Sequence, residues 1–140
     1  MIKTTTMKIS FGIIPKWQQR VIAEAVKQAE DFICSLYDVD CFDLVTLKTS
    51  RSCYQAKYYP GYGLIKIDIE RNEVYLYNIK IFGSYRTYIP ATGYLISYTT
   101  QLIHELTHFV QDLGNKKFHE YETTLNEIDY LTSIGYKVWD

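Results

Sequence analysis

Apolar side chains recur at three- and four-residue steps from Lys16 to Tyr37: Trp17, Val21, Ala25, Ala29, Phe32, Ile33 and Leu36. That spacing predicts an amphipathic helix. Pro15 stands just ahead of it, where a missing N–H removes no helical bond. Further on the period changes. Asp43 to Thr49 carries Leu44, Val45 and Leu47, and Leu64 to Ile69 alternates apolar with polar. Period two predicts strands with one buried face. Glu70-Arg71-Asn72-Glu73 reads as a turn into Val74–Tyr77, which predicts a hairpin, and Ile79 to Phe82 extends the pattern. Gly61, Gly63 and Gly83 punctuate it. The helical period then returns twice. Tyr94 to Leu113 sets Leu102, Leu106, Phe109 and Leu113 on one face and stops at Gly114-Asn115. His119 to Ser133 carries Leu125, Ile128 and Leu131, with Ile134 following and Gly135 as its end. The order predicts an α+β fold: an N-terminal helix, a small, mostly antiparallel sheet of three to four strands, and two C-terminal helices.

Length and composition narrow this. A chain of 140 residues reads as a single domain spanning 1–140. Hydrophobic residues at 47% and charged residues at 22% exclude disordered and collagen-like chains. The net charge is −1 and Lys116-Lys117 is the one basic doublet, which argues against a nucleic-acid partner. Cys34, Cys41 and Cys53 are odd in number and form no CxxC pair. They argue against a disulfide framework or a cysteine zinc site and predict a reducing compartment. The first residues lack the apolar segment of a signal peptide and no apolar run spans a membrane, so the expected location is cytoplasmic. Tyrosine is abundant, 14 in all, with ten between Tyr54 and Tyr98. Its strand preference accounts for much of that, and the stretch is also the first place to seek a peptide-contacting surface.

Chemistry concentrates in one place. His104-Glu105-Leu106-Thr107-His108 is an HExxH motif inside the penultimate helix. Residues four apart lie one turn apart on the same helix face, so both imidazoles can reach one metal ion. Zn²⁺ accepts such nitrogens at ~2.0–2.1 Å. Glu105, adjacent to one ligand, is placed to take a proton from a water activated there.

A catalytic zinc site uses a third protein ligand and keeps one position open. The metzincin pattern is excluded, because its Gly and third His would fall at Gln111 and Gly114. Glu127 fits better: residues 109 to 126, eighteen in all, separate it from His108, and it follows Asn126 on the last helix. These residues resemble the gluzincin branch of the zincin metallopeptidases, in which HExxH is followed by a downstream Glu. His104 to Gln111 also matches the HExxHxxQ wording of minimal gluzincins found as short metallopeptidases of bacteria and phages. The resemblance covers roughly residues 94–134. It implies a zincin-like fold, a protein or peptide substrate, zinc held by His104, His108 and Glu127, and Glu105 as general base and later proton donor. Where thermolysin-type members place an Asp four residues past the ligand Glu, this chain has Leu131; Asp129 is the nearest acid.

His119 is the competing third ligand, ten residues (109 to 118) beyond His108. That arrangement resembles SprT-like proteases, which act on nucleic-acid-bound proteins. A non-catalytic, zinc-binding regulatory module is a further alternative. Glu120 and Glu122 are also within range, although acids in a first helical turn suit the helix dipole without any ligand role. Asp112 and Asp129 are candidate acceptors for the second imidazole nitrogens. Tyr121, Tyr130 and Tyr136 are candidate donors to a developing oxyanion. An extended peptide could add to a sheet edge, with Tyr75–Phe82 or Tyr85–Ile89 as the expected strands.

Overall fold

In the computed structural model, which describes residues 2–51, 56–80, 83–90 and 93–135, helix α1 runs Lys16–Tyr37, as its apolar period predicts. Pro15 precedes it, and Asp38 ends it in the left-handed region (φ 57°), its N–H donating to the Cys34 carbonyl at 2.9 Å. The buried stripe is rotated from the expected one. Gln18, Ile22, Ala25, Val26, Ala29, Glu30, Ile33 and Cys34 face inward, whereas Trp17 and Leu36 are 47% and 48% exposed. Polar residues can occupy the inner face when their bonds are met. The Glu30 carboxylate accepts from Lys3 Nζ (2.9 Å), Thr6 Oγ1 (2.8 Å) and the Met7 N–H (2.7 Å).

Strands β1 (Lys8–Ser10), β2 (Thr46–Ser50), β3 (Lys57–Tyr59) and β4 (Leu64–Asp68) form one sheet in the order β1-β2-β4-β3. β1 lies parallel to β2, with Lys8 opposite Thr46, and β2 parallel to β4, with Thr46 opposite Leu64. Only β3 is antiparallel, with Tyr58 opposite Ile65. The sheet is therefore mixed where a mostly antiparallel one was expected. The cause is α1, which lies between β1 and β2 in the chain and returns it in the same direction.

The expected hairpin between Leu64–Ile69 and Val74–Tyr77 does not form. β4 makes its hairpin with β3, and β5 (Glu73–Lys80) pairs with β6 (Gly83–Pro90) as a separate two-stranded sheet. Gly63 enters β4 at φ 57°, where a Cβ would stand 2.4 Å from the Leu44 carbonyl oxygen. Only glycine permits that approach, and it lets Gly63 accept the Thr46 N–H at 2.7 Å. The strand expected from Asp43 starts later, because Phe42–Leu44 forms a single 3-10 turn.

Helices α2 (Tyr94–Leu113) and α3 (Glu120–Ser133) follow. α2 packs against α1, α3, β3, β4 and β5, and nearly every side chain from Ser97 to Phe109 is buried. Its register on the sheet is pinned at the end of β4. The Gln101 amide accepts the Asp68 N–H at 2.8 Å and donates to the Asp68 carbonyl at 3.0 Å, while the Tyr98 hydroxyl donates to the Ile69 carbonyl at 2.5 Å. α3 turns Thr123, Thr124, Asn126, Glu127, Tyr130 and Leu131 inward, whereas Leu125 and Ile134, expected on its apolar face, are substantially exposed. Between α1, α2 and the sheet lie Ile22, Ile33, Phe42, Leu47, Ile65, Ile67, Leu102 and Leu106, all fully buried. Burial of each such side chain contributes roughly 1.5–3 kcal/mol.

Cys34 is buried and Cys41 half-buried. Cys53, Tyr54, Phe82 and Tyr136 lie outside the described residues. No helix among the described residues is long and apolar enough to cross a membrane.

Candidate metal centre

The pinned register of α2 turns His104, Glu105 and His108 toward α3 and β3. The two imidazole centroids are 5.1 Å apart at 77°. Ligand-type atoms of His104, Glu105 and His108 lie within 4.8 Å of one another, so the group could hold a metal ion. His108 and Glu105 are buried, while the His104 side chain keeps 21% of its surface exposed. The group is thus open to solvent on one side.

Each imidazole is held from behind. His108 Nδ1 faces Gln111 Oε1 at 2.9 Å, and His104 Nδ1 faces Glu127 Oε2 at 3.1 Å. Each contact orients its ring and leaves Nε2 on the opposite edge. Both Nε2 atoms then meet one carboxylate: Glu120 Oε2 is 3.1 Å from His104 Nε2, and Glu120 Oε1 is 2.8 Å from His108 Nε2. Glu120 itself is largely exposed.

The electrostatics follow from this crowding. Burial pulls His104 down, but the bonds to Glu120 and Glu127 and the charges of Glu127 and Glu105 outweigh it and push the imidazole up to about 11. His108 is likewise raised: burial opposes, while Glu120 and Gln111 favour the protonated ring. Bonds to His104 and His108 hold Glu120 well below the usual carboxylate range. Glu105 and Glu127 are raised, first by burial. Two imidazoles, each favouring positive charge and facing one anion, make a strongly polar cluster at the edge of an apolar core.

Glu105 is oriented by the sheet. Its Oε1 accepts the Tyr58 N–H of β3 at 2.9 Å, which leaves Oε2 toward the histidines, 3.8 Å from His104 Nε2. The Tyr58 hydroxyl donates to Asp112 Oδ2 at 2.6 Å. The Phe118 ring stacks on His108 at 4.5 Å and lies 5.9 Å from Tyr58, giving the cluster an apolar wall.

The residues singled out from sequence divide clearly. His104, Glu105 and His108 come together. Glu127 reaches His104, at Nδ1. The exposed His119 precedes the first residue of α3 without a side-chain capping bond, and its ring stands edge-on to Tyr121 at 6.1 Å. Asp112 serves Tyr58, and Asp129 is exposed. Tyr130 gives its hydroxyl to Gln28 on α1 at 2.6 Å, and Tyr121 is exposed. Glu122 accepts from Tyr37 and Gln111. Sequence reasoning assigned Gln111 no contact and put Glu120 within range of the site, with a first-turn role as the plainer reading. The signal for Gln111 was its spacing, three residues past His108 on one helix face. Glu120 comes close through the turn between α2 and α3, which no periodicity reports.

No protein-family model matches this chain, and no curated protein or solved structure compared with it matches either.

Proposed function

We propose that this protein is a zinc-dependent peptidase of zincin type, with His104 and His108 as metal ligands, an acid from α3 completing the set, and Glu105 as the general base. The reading rests on one observation above the rest: His104, Glu105 and His108 cluster within 4.8 Å on one helix face, with the Nδ1 of each ring committed elsewhere. The two Nε2 atoms, which converge on Glu120, together with a carboxylate make the nitrogen–oxygen donor set that Zn²⁺ takes when a fourth position stays open. When bound, zinc supplies Lewis acidity, which acidifies a water and polarises a peptide carbonyl.

The chain's own residues do the rest. Glu105 takes the proton of the attacking water at Oε2, because Oε1 is occupied by Tyr58 N–H. Burial raises this carboxyl above the usual carboxylate range, which makes it a stronger proton acceptor. It then hands the proton to the leaving amine. β3 is an edge strand, and its Tyr58 N–H touches the base. An extended peptide aligned along that edge brings a carbonyl beside Glu105. Phe118, stacked on His108 and tilted against Tyr58, favours an apolar side chain next to the scissile bond.

The test is metal analysis of the purified chain together with hydrolysis of a mixed peptide library. Stoichiometric zinc, cleavage abolished by chelation, and an inactive Glu105→Gln that retains zinc are the expected results. A wild-type chain that holds no zinc and takes none up overturns the reading.

A further inference from the structure

We propose that Glu120, the first residue of α3, is the third protein ligand of the metal, and that Glu127 is a positioning residue that holds His104 from behind. The inference deepens the metallopeptidase reading and rests on it.

The geometry of the two acids differs in kind. Glu120 spans the pair: one oxygen stands 3.1 Å from His104 Nε2, the other 2.8 Å from His108 Nε2. Its carboxylate therefore occupies the ground between the two Nε2 atoms. Glu127 stands 3.1 Å from Nδ1 of His104, on the opposite edge of the ring. The two imidazole nitrogens point their lone pairs apart. An oxygen receiving the Nδ1 hydrogen is therefore out of reach of an ion held at Nε2 by a bond of ~2.0–2.1 Å. The contact is the carboxylate–histidine arrangement that orients a ligand and raises its basicity.

The backbone is built to bring Glu120 there. The Gln111 side chain accepts the His119 N–H and donates to the His119 carbonyl, both at 3.2 Å. This clamps the residue before Glu120 to the helix that carries the histidines. Thr123 Oγ1 donates to the Glu120 carbonyl at 2.7 Å, fixing the first turn of α3. Gln111 also faces His108 Nδ1. One side chain thus sets both the orientation of a histidine and the position of the acid opposite it. The Glu120 carboxylate is 67% exposed, so it closes the site from the solvent side, while Glu105, on α2, is held on the other side by the Tyr58 N–H of β3.

The experiment is competition for Zn²⁺ against a chromophoric chelator, with apo protein prepared by chelation. It compares wild type, Glu120→Ala, Glu120→Gln, Glu127→Ala, Glu127→Gln and His119→Ala. Glu120→Ala is expected to weaken zinc by more than about 100-fold, and Glu120→Gln to fall short of wild type. Glu127→Ala is expected to lose ~10–100-fold, the range of an outer partner, and Glu127→Gln, which keeps an acceptor oxygen, less than that. His119→Ala should match wild type. The visible spectrum of the Co²⁺-loaded chain should change with Glu120→Ala and stay the same with Glu127→Gln, because it reports coordination geometry. Circular dichroism confirms that each variant is folded; the exposed Glu120 makes its loss tolerable, and Glu120→Gln preserves its size. Wild-type affinity in Glu120→Ala, with loss in Glu127→Ala or His119→Ala, overturns the assignment and leaves the metallopeptidase reading standing. A wild-type chain that binds no metal overturns both.

Discussion

Tyr58 and Glu105 are joined by a single bond from strand to helix, the backbone N–H of one donating to Oε1 of the other at 2.9 Å. Both residues are buried, so the bond ties the sheet edge to Glu105 and selects which carboxylate oxygen faces the histidines.

This relation separates two substitutions at the same position. Glu105→Gln keeps an oxygen that can accept the Tyr58 N–H and should unfold within about 1 kcal/mol of wild type, the worth of one ordinary hydrogen bond. Glu105→Ala orphans a buried donor and should cost about 1–3 kcal/mol. Both should lose peptide hydrolysis by at least ~10²-fold, the usual contribution of a positioned base. Urea denaturation and peptide cleavage measured on the same preparations check this. Equal stability of the two variants would show that the bond carries no weight.

The three helices were legible because their apolar positions repeat over 14 to 22 residues, long enough to reveal the period. β1 and β3, three residues each, are too short for alternation to register, and their pairing depends on where α1 returns the chain. The inward faces of α1 and α3 were misread at polar positions. Glu30, Gln18 and Asn126 are buried, and their partners lie far away in sequence. At the site, His104, Glu105 and His108 could be read because their contact is local to one helix. The approach of Glu120 and Tyr58 depends on two turns and a strand order that spacing does not encode.

Gln111 binds four groups and should affect the metal more than its neutral side chain suggests. It faces His108 Nδ1, clamps the His119 backbone, and donates to Glu122 Oε1 at 2.8 Å. Gln111→Ala should weaken zinc ~10–100-fold through the freed imidazole and the loosened start of α3. Gln111→Glu retains an acceptor for His108 but sets a second negative charge against Glu122. It should lose more stability than affinity. Chelator competition and thermal unfolding of the two variants distinguish these effects.

Glu30 anchors the opposite side of the fold. Its buried carboxylate accepts from Lys3, Thr6 and Met7, joining the segment before β1 to α1. Glu30→Ala leaves the Met7 N–H buried and unpaired, a loss of at least about 1–3 kcal/mol. Among the described contacts Glu30 touches none of His104, Glu105, His108, Glu120 and Glu127, so zinc affinity of the folded variant should equal that of wild type. A lower denaturant midpoint with an unchanged zinc titration is the expected pair of results; a matching loss of affinity would show that the two regions are coupled.

Tyr37 gives the fold a dependence on alkaline pH whose sign is fixed by its surroundings. Its hydroxyl donates to Glu122 Oε2 at 2.5 Å and accepts from Asn126 Nδ2 at 2.7 Å. Burial first, then the bond to the Glu122 carboxylate, pushes the phenol from its ordinary 10.0 up to about 12. Between those values the folded chain holds a proton that the unfolded chain has released. Stability must therefore fall as pH rises through that interval, and the contribution is complete below 10. Tyr37→Phe removes the titrating group along with both bonds. It should be less stable by about 0.5–1.5 kcal/mol per bond at neutral pH. Tyr58, Tyr98 and Tyr130 are also raised by burial, so the share of Tyr37 is read from the difference between wild type and variant. That difference should shrink from pH 10 to 12, as measured by denaturation at each pH. A difference that stays constant across the interval would mean that the proton on Tyr37 is not linked to folding.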